Sequence, residues 1–287
     1  MKKIWLILIL VIAVFFRFFH LTSSPPGLNW DEVSIGYNAY SILRTGRDEW
    51  GQFMPISFKA FGEYKLPGMI YASIPGIALF GTTDLGVRVT PAILGVLAVY
   101  LIYLLTKKLF GSEMVALVAS ALLAISPWAV HFSRVSFEAG LAMVFVLTSI
   151  YFLPNLWLSM IFAVLGFYTY NSVRILLPLL FLAYAANSVI SFAKPNFAKI
   201  SKVIIVALIL LSPVLIGLLN PAERVRWGTL SITNQKSFTE SIAESRGYTL
   251  LPGILPRLVQ NKATHYAYIL FTNYVNIFST EFLFTKG

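Results

Sequence analysis

The stretch MKKIWLILILVIAVFFRFF, residues 1–19, begins with two lysines and continues as an almost unbroken apolar run. A signal peptide begins in the same way, but no small-residue cleavage site of the A-x-A type follows this run. The run is long, and further apolar segments come later in the chain. We therefore interpret it as an uncleaved first membrane helix whose amino end is cytoplasmic.

The composition of the whole chain also indicates a membrane protein. Of the 287 residues, 57% are hydrophobic and only 12% are charged, against about 25% charged residues in soluble domains. The absence of cysteine excludes a disulfide framework, a cysteine nucleophile and a cysteine metal site. The net charge of +10 comes from basic residues scattered along the membrane flanks, so we expect no nucleic-acid partner.

Seven apolar segments approach the roughly 20 residues that a membrane-spanning helix needs. They predict helices over residues 4–21, 85–105, 114–127, 139–153, from the turn at 154–155 to about 170, and over 175–190 and 203–219. The third, fourth and fifth are short, and the fourth and fifth are also compatible with a re-entrant pair. The predicted fold class is an all-α integral membrane protein with about seven transmembrane helices and interfacial helices in the first extracytoplasmic loop.

The lysines predict how this chain is oriented in the membrane and how it is divided. Seven of them fall on one side of the predicted bundle, which should be cytoplasmic: Lys2, Lys3, Lys107, Lys108, Lys194, Lys199 and Lys202. We expect a membrane domain over residues 1–219, with a first outer loop at about 22–83, and an extracytoplasmic loop over residues 220–287. Because that last segment is aromatic and leads into no further helix, we expect the natural chain to continue beyond it.

The first outer loop contains NWDEVSIGYNAYSILRTG, residues 29–46. Its apolar residues have helical spacing and it ends in glycine, so it predicts an amphipathic helix lying in the membrane interface. Asn29, Asp31 and Glu32 mark the start of this helix. Acidic residues at a helix start interact favourably with the helix dipole, which is a structural explanation for both carboxylates.

Three segments in order carry a family resemblance: residues 29–46, then FGEYKLPGMIYASIPGIALFG (61–81), then LGVRVTPAILGVLAVYLIYLLTKKLFG (85–111). Together they resemble the C-superfamily membrane glycosyltransferases, most closely the group of protein O-mannosyltransferases and aminoarabinose transferases. The likeness extends over about residues 29–219. In that group an Asp, often Asp-Glu, follows the first helix. The acid-Lys-Pro element departs from the group, where it is more compact and often has two prolines.

This resemblance implies a hexosyl or pentosyl transferase at the outer face of the cell membrane. The donor would be a polyprenyl-phosphate-linked sugar, and the acceptor a lipid, a glycan or a protein. A carboxylate at the membrane surface can act as general base on the acceptor hydroxyl, a role we assign to Asp31 with Glu32 as a helper. A chain that lacked its acceptor-binding part would be inactive.

The leaving phosphate requires cations, and two further acids resemble supporting residues of the family. Lys65, Arg134 and Arg174 are the predicted donor phosphate-binding residues, because arginine in particular matches phosphate bidentately. Glu63 and Glu138 are predicted to support the substrate or a metal ion. Each residue also has a structural explanation: a lysine that extends towards lipid headgroups, an arginine that anchors a helix at the interface, or a local Arg–Glu pair.

Metal dependence and the class of activity remain open at this level. The histidines His20, His131 and His265 show no ligand spacing, so no cofactor is certain, and a divalent metal is left open. The alternatives to an enzyme are a transporter or flippase of lipid-linked sugars and a non-catalytic membrane scaffold. Transporters place charges in the middle of the membrane, whereas here the charges cluster in outer loops and at helix ends.

Overall fold

The computed structural model describes residues 2–190, 197–217, 219, 236–248 and 254–281. These residues are mainly helical, with one two-stranded sheet among them, and the all-α membrane class is confirmed. The helices are α1 (Lys2–Phe18), α2 (Trp30–Thr45), α3 (Gly68–Phe80), α4 (Asp84–Phe110), α5 (Glu113–Ile125), α6 (Pro127–Ser133), α7 (Glu138–Tyr151), α8 (Leu156–Phe167), α9 (Val173–Ile190), α10 (Phe197–Gly217), α11 (Lys236–Gly247), α12 (Leu255–Val259) and α13 (Lys262–Asn276). The chain forms two compact units, Met1–Asn220 and Pro221–Gly287.

Two helices in the described residues are long and apolar enough to cross a membrane: α4 and the Ala198–Gly217 part of α10. A third span results if α5 and α6 are counted as one, since they meet at a bend of 62°. The other apolar helices are shorter, so the count of seven crossings and their orientation stay predictions. One of these shorter helices, α3, lies within the segment that was predicted as the first outer loop.

Helix α2 begins and ends where the sequence predicts, because local hydrogen bonds determine both ends. The side chain of Asn29 accepts from the backbone N–H of Glu32 (2.9 Å), and the Glu32 carboxylate accepts from the backbone N–H of Asn29 (3.1 Å). This reciprocal arrangement is a capping box. At the other end, Gly46 has a φ of 69°, a left-handed conformation that glycine adopts at little cost.

One face of α2 is buried against α3 and α4. Ile35, Ala39 and Ile42 lie in a core cluster with residues of α3, including Met69 and Ile77. The close approach between α2 and α4 requires Gly36, because a Cβ there would lie 2.6 Å from Val87 Cγ2. The amino end of α2 therefore has a defined position over the first turns of α4.

A short β-hairpin precedes α3. Its strands, β1 (Phe58–Ala60) and β2 (Glu63–Lys65), pair antiparallel with Phe58 opposite Lys65. The Phe58 side chain is buried in the same core cluster as α2 and α3. The hairpin therefore holds the last residue of β2 close to α2.

Candidate active site

Asp31 and Lys65 form a direct ion pair, although 34 residues separate them in sequence. Asp31 lies in the first turn of α2, and Lys65 ends β2 and donates from Nζ to Asp31 Oδ1. The Lys65 side chain is only 2% exposed, whereas that of Asp31 is 34% exposed. The pair thus presents an accessible carboxylate above a covered ammonium. The lysine charge and the amino end of α2 both stabilise negative charge at Asp31.

Glu32, the neighbour of Asp31, has a different environment because its side chain is 1% exposed. Its carboxylate accepts from Arg88 Nε at 3.0 Å and from Arg88 Nη2 at 3.1 Å. It also accepts from the backbone N–H of Ser136 at 3.1 Å and from that of Asn29. These bonds connect α2 to α4 and to the α6–α7 connection. Glu32 was predicted as a helper in the reaction, but its carboxylate faces the protein interior, not solvent.

Arg88 was not among the predicted site residues. It is fully buried in α4 and, besides Glu32, it donates to the backbone carbonyls of Leu21 (3.3 Å), Pro25 (2.7 Å) and Gly27. These carbonyls belong to the connection between α1 and α2, so Arg88 fixes the position of the segment that leads from α1 to Asp31. The sequence did contain a signal, because an arginine inside the apolar segment LGVRVTPAIL requires a buried partner.

Arg134 also binds this connection. Its guanidinium donates to the backbone carbonyls of Phe16 (2.7 Å), His20 (2.9 Å) and Ser24 (2.8 and 3.0 Å). Burial, and then the nearby charge of Arg88, lower the pKa of Arg134, although an arginine stays protonated in a protein. The predicted contact with a donor phosphate stays a prediction, and in this conformation the described acceptors of Arg134 are backbone oxygens.

Arg174 lies in the first turn of α9, and its Nε donates to the carbonyl of Phe167 at 3.3 Å. The corner between α8 and α9, residues 168–172, contacts the start of α3, where the Gly68 N–H donates to the Tyr168 carbonyl at 3.0 Å.

Glu138 begins α7 and is half-buried. The backbone of Glu63 pairs with β1, but its side chain lies outside the described part of the chain.

Within the described residues, no three His, Asp or Glu side chains are grouped as a metal site would require. The three histidines also lie on separate elements: one follows α1, one is in α6 and one is in α13. Metal dependence is therefore still open.

The fold and this pair of charges define a helical membrane protein that exposes a carboxylate in the first turn of its second helix. A sequence model for the family described as dolichyl-phosphate-mannose-protein mannosyltransferase matches residues 7–156, more than half of the chain. The chain belongs to this family, and the resemblance found in the sequence is confirmed. No curated protein and no solved structure gives a match.

Membership makes the chain a membrane glycosyltransferase of a family that uses a polyprenyl-phosphate sugar donor. It gives no support to the transporter or flippase alternative. The matched region contains Asp31, Lys65, Arg88 and Arg134, whereas Arg174 lies beyond it.

Proposed function

We propose that this chain transfers a sugar from a polyprenyl-phosphate donor to an acceptor hydroxyl at the outer membrane face. Asp31 is the general base and Lys65 binds the phosphate of the donor. The observation that carries this proposal is the Asp31–Lys65 ion pair, in which the carboxylate is accessible and the ammonium is covered. Transfer of a sugar away from a phosphate requires a base for the acceptor hydroxyl and a cation for the leaving phosphate, and this pair supplies both at one point.

In the proposed step, Asp31 takes the proton of the acceptor hydroxyl as the acceptor oxygen bonds to the anomeric carbon of the sugar. The bond from that carbon to the phosphate oxygen breaks, and the polyprenyl phosphate leaves with the electron pair. The charge of Lys65 offsets the negative charge of the leaving phosphate. The Lys65 side chain is 2% exposed, so the donor must displace the groups that cover it. An ammonium has three N–H donors, and Lys65 can then donate to a phosphate oxygen while it keeps its bond to Asp31.

Glu32 has a positioning role in this proposal. Its bonds to Arg88 and to two backbone N–H groups hold the first turn of α2, and Asp31 is its immediate neighbour on that turn. Arg134 acts in the same way on the α1–α2 connection. Arg174 keeps its predicted role at the donor phosphate, supported by the contact between the corner before α9 and the start of α3.

The family description specifies a mannosyl donor and a protein acceptor. Mannosyl transfer to a protein hydroxyl is therefore the first reaction to test, and lipid and glycan acceptors follow. The outer face is inferred from the lysine distribution, which makes the loop containing Asp31 extracytoplasmic.

The test is Asp31→Asn in the full-length natural protein, compared with Asp84→Asn. Both acids lie in the first turn of a helix, so the control reproduces the loss of a helix-start charge away from the ion pair. Removal of a positioned general base lowers the rate by about 10²–10⁴-fold. We expect that loss of transfer for Asp31→Asn, with donor binding retained, and near-normal transfer for Asp84→Asn. Full transfer by Asp31→Asn would refute the proposal.

A further inference from the structure

A cleft of about 260 Å³ lies between α2, the segment before β1 and the hairpin. This volume lies just below the range of about 300–1,000 Å³ that is typical of small-molecule sites, so the cleft suits a small ligand. The residues that line it include Ser34, Tyr37, Glu49, Trp50, Lys59 and Phe61.

Three aromatic rings border the cleft, and all are more than half exposed: Tyr37 (54%), Trp50 (58%) and Phe61 (68%). The Trp50 ring has a fixed position. Its Nε1–H donates to the Lys59 carbonyl at 2.9 Å, and Lys59 Nζ lies 4.6 Å from the ring centroid. A large ring that is held rigidly and kept exposed is a common feature of binding sites, because little side-chain freedom is lost when a ligand arrives.

Phe61 connects the cleft to the ion pair. Its ring lies 5.7 Å from Lys65 Nζ and 6.2 Å from the ring of Trp30, the residue before Asp31. Its φ of 51° is in the left-handed region, which is unusual for a bulky side chain. Phe61 and Gly62 (φ 82°) form the two-residue turn between β1 and β2, and such a turn requires positive φ at both positions. The turn places the aromatic ring of Phe61 at the tip of the hairpin.

Two polar groups complete the lining. The Glu49 carboxylate accepts from Asn38 Nδ2 at 2.9 Å, and the Glu49 N–H donates to Asn38 Oδ1 at 3.1 Å, so Asn38 fixes this acid. Ser34 is 7% exposed, and its hydroxyl has no hydrogen-bond partner among the described residues. A serine inside a helix usually bonds to a carbonyl of the preceding turn. A buried polar atom without a partner requires an explanation, and a rotation of the serine side chain would bring this covered Oγ into reach of a ligand hydroxyl in the cleft.

We propose that this cleft binds a sugar ring of the reaction. A pyranose has C–H faces of slightly positive charge that suit the negative faces of aromatic rings. Its hydroxyls match the free acceptor sites of the exposed Glu49 carboxylate. An extended peptide lacks this combination of a flat C–H face with a rim of hydroxyls. The link to catalysis rests on the proposed function, but sugar binding itself does not.

The experiment is saturation-transfer difference NMR on the full-length protein in lipid nanodiscs, with methyl α-D-mannopyranoside as the probe. Trp50→Leu is compared with Trp157→Leu, a tryptophan of α8 outside the cleft that is also partly exposed. We expect transfer to the ring protons of the probe, and an affinity about three- to tenfold lower for Trp50→Leu. Glu49→Gln, which changes one atom of the side chain, should also weaken binding, and Trp157→Leu should not.

Competition then identifies the source of the sugar. Displacement of the probe by the polyprenyl-phosphate sugar, but not by bare polyprenyl phosphate, assigns the cleft to the donor sugar. Binding of the probe together with the lipid-linked sugar assigns it to an acceptor glycan. Equal binding by Trp50→Leu and the wild type overturns the proposal, and so does a Ser/Thr peptide that binds where the glycoside does not.

This readout is independent of the transfer step. Probe binding that depends on Trp50, combined with full transfer by Asp31→Asn, would retain the sugar cleft and refute the proposed base. Loss of transfer in Asp31→Asn, with no effect of Trp50→Leu on probe binding, would retain the proposed base and refute the sugar cleft.

Discussion

Glu32 and Arg88, 56 residues apart, form a buried ion pair with two hydrogen bonds of 3.0 and 3.1 Å. Both side chains are almost completely excluded from solvent. Charges in such a position are tolerated only when all their hydrogen bonds are made. The pair therefore determines where the first turn of α2, and with it Asp31, lies relative to α4.

Breaking this pair from one side should destabilise the protein strongly. Glu32→Gln leaves the Arg88 charge buried without its counter-ion, which costs about 3–5 kcal/mol of unfolding free energy. The double variant Glu32→Gln, Arg88→Met should be less destabilised than the sum of the two single variants. Thermal unfolding of the purified protein in detergent measures this difference.

Glu244→Gln is a matched control, because this glutamate is exposed on α11 and its replacement should change the melting temperature little. A melting temperature of Glu32→Gln equal to that of the wild type would contradict the anchoring role of the pair.

Lys65→Ala should weaken binding of the polyprenyl-phosphate donor. A hydrogen bond to a charged group contributes about 1.5–3 kcal/mol, which corresponds to a loss of affinity of roughly ten- to a hundredfold. Arg44→Ala removes an exposed cation from the end of α2 and should leave donor affinity nearly unchanged. Titration with the labelled donor measures both. If Lys65→Ala bound the donor as tightly as the wild type, Lys65 would have no phosphate role.

A substitution of Arg134 tests whether this arginine has a structural role or binds the donor phosphate. Its guanidinium spans three backbone carbonyls, and the single ammonium of a lysine cannot reproduce that geometry. We therefore expect Arg134→Lys to lower the melting temperature while the folded fraction keeps normal donor affinity. The opposite pattern, normal stability with weakened donor binding, would favour the phosphate-binding role predicted from the sequence.

The orientation of the chain can be tested directly because it contains no cysteine. Single cysteines at Ser57 and Ser237 should react with a membrane-impermeant maleimide added outside intact cells. A cysteine at Ser112, which precedes α5, should react only after the membrane is permeabilised. Reaction of the Ser112 variant in intact cells would reverse the assigned orientation.

Several parts of the fold and the site were predictable because they depend on residues close together in sequence. The membrane class follows from apolar runs, since the length and hydropathy of one segment decide whether it suits a bilayer. The start of α2 follows from Asn29 and Glu32, whose reciprocal hydrogen bonds need only three residues of separation. Asp31 and Lys65 were singled out by family resemblance and by position, without information on their distance.

Tertiary structure alone decided which charges meet. The same Glu32 that caps α2 locally also binds Arg88, and this partner is available only because Gly36 lets α2 approach α4. Arg134, which resembled a phosphate ligand, donates to backbone carbonyls at the end of α1 and beyond it. Local patterns determine where helices begin and how apolar they are, but a buried charge finds its partner through packing between segments that are distant in sequence.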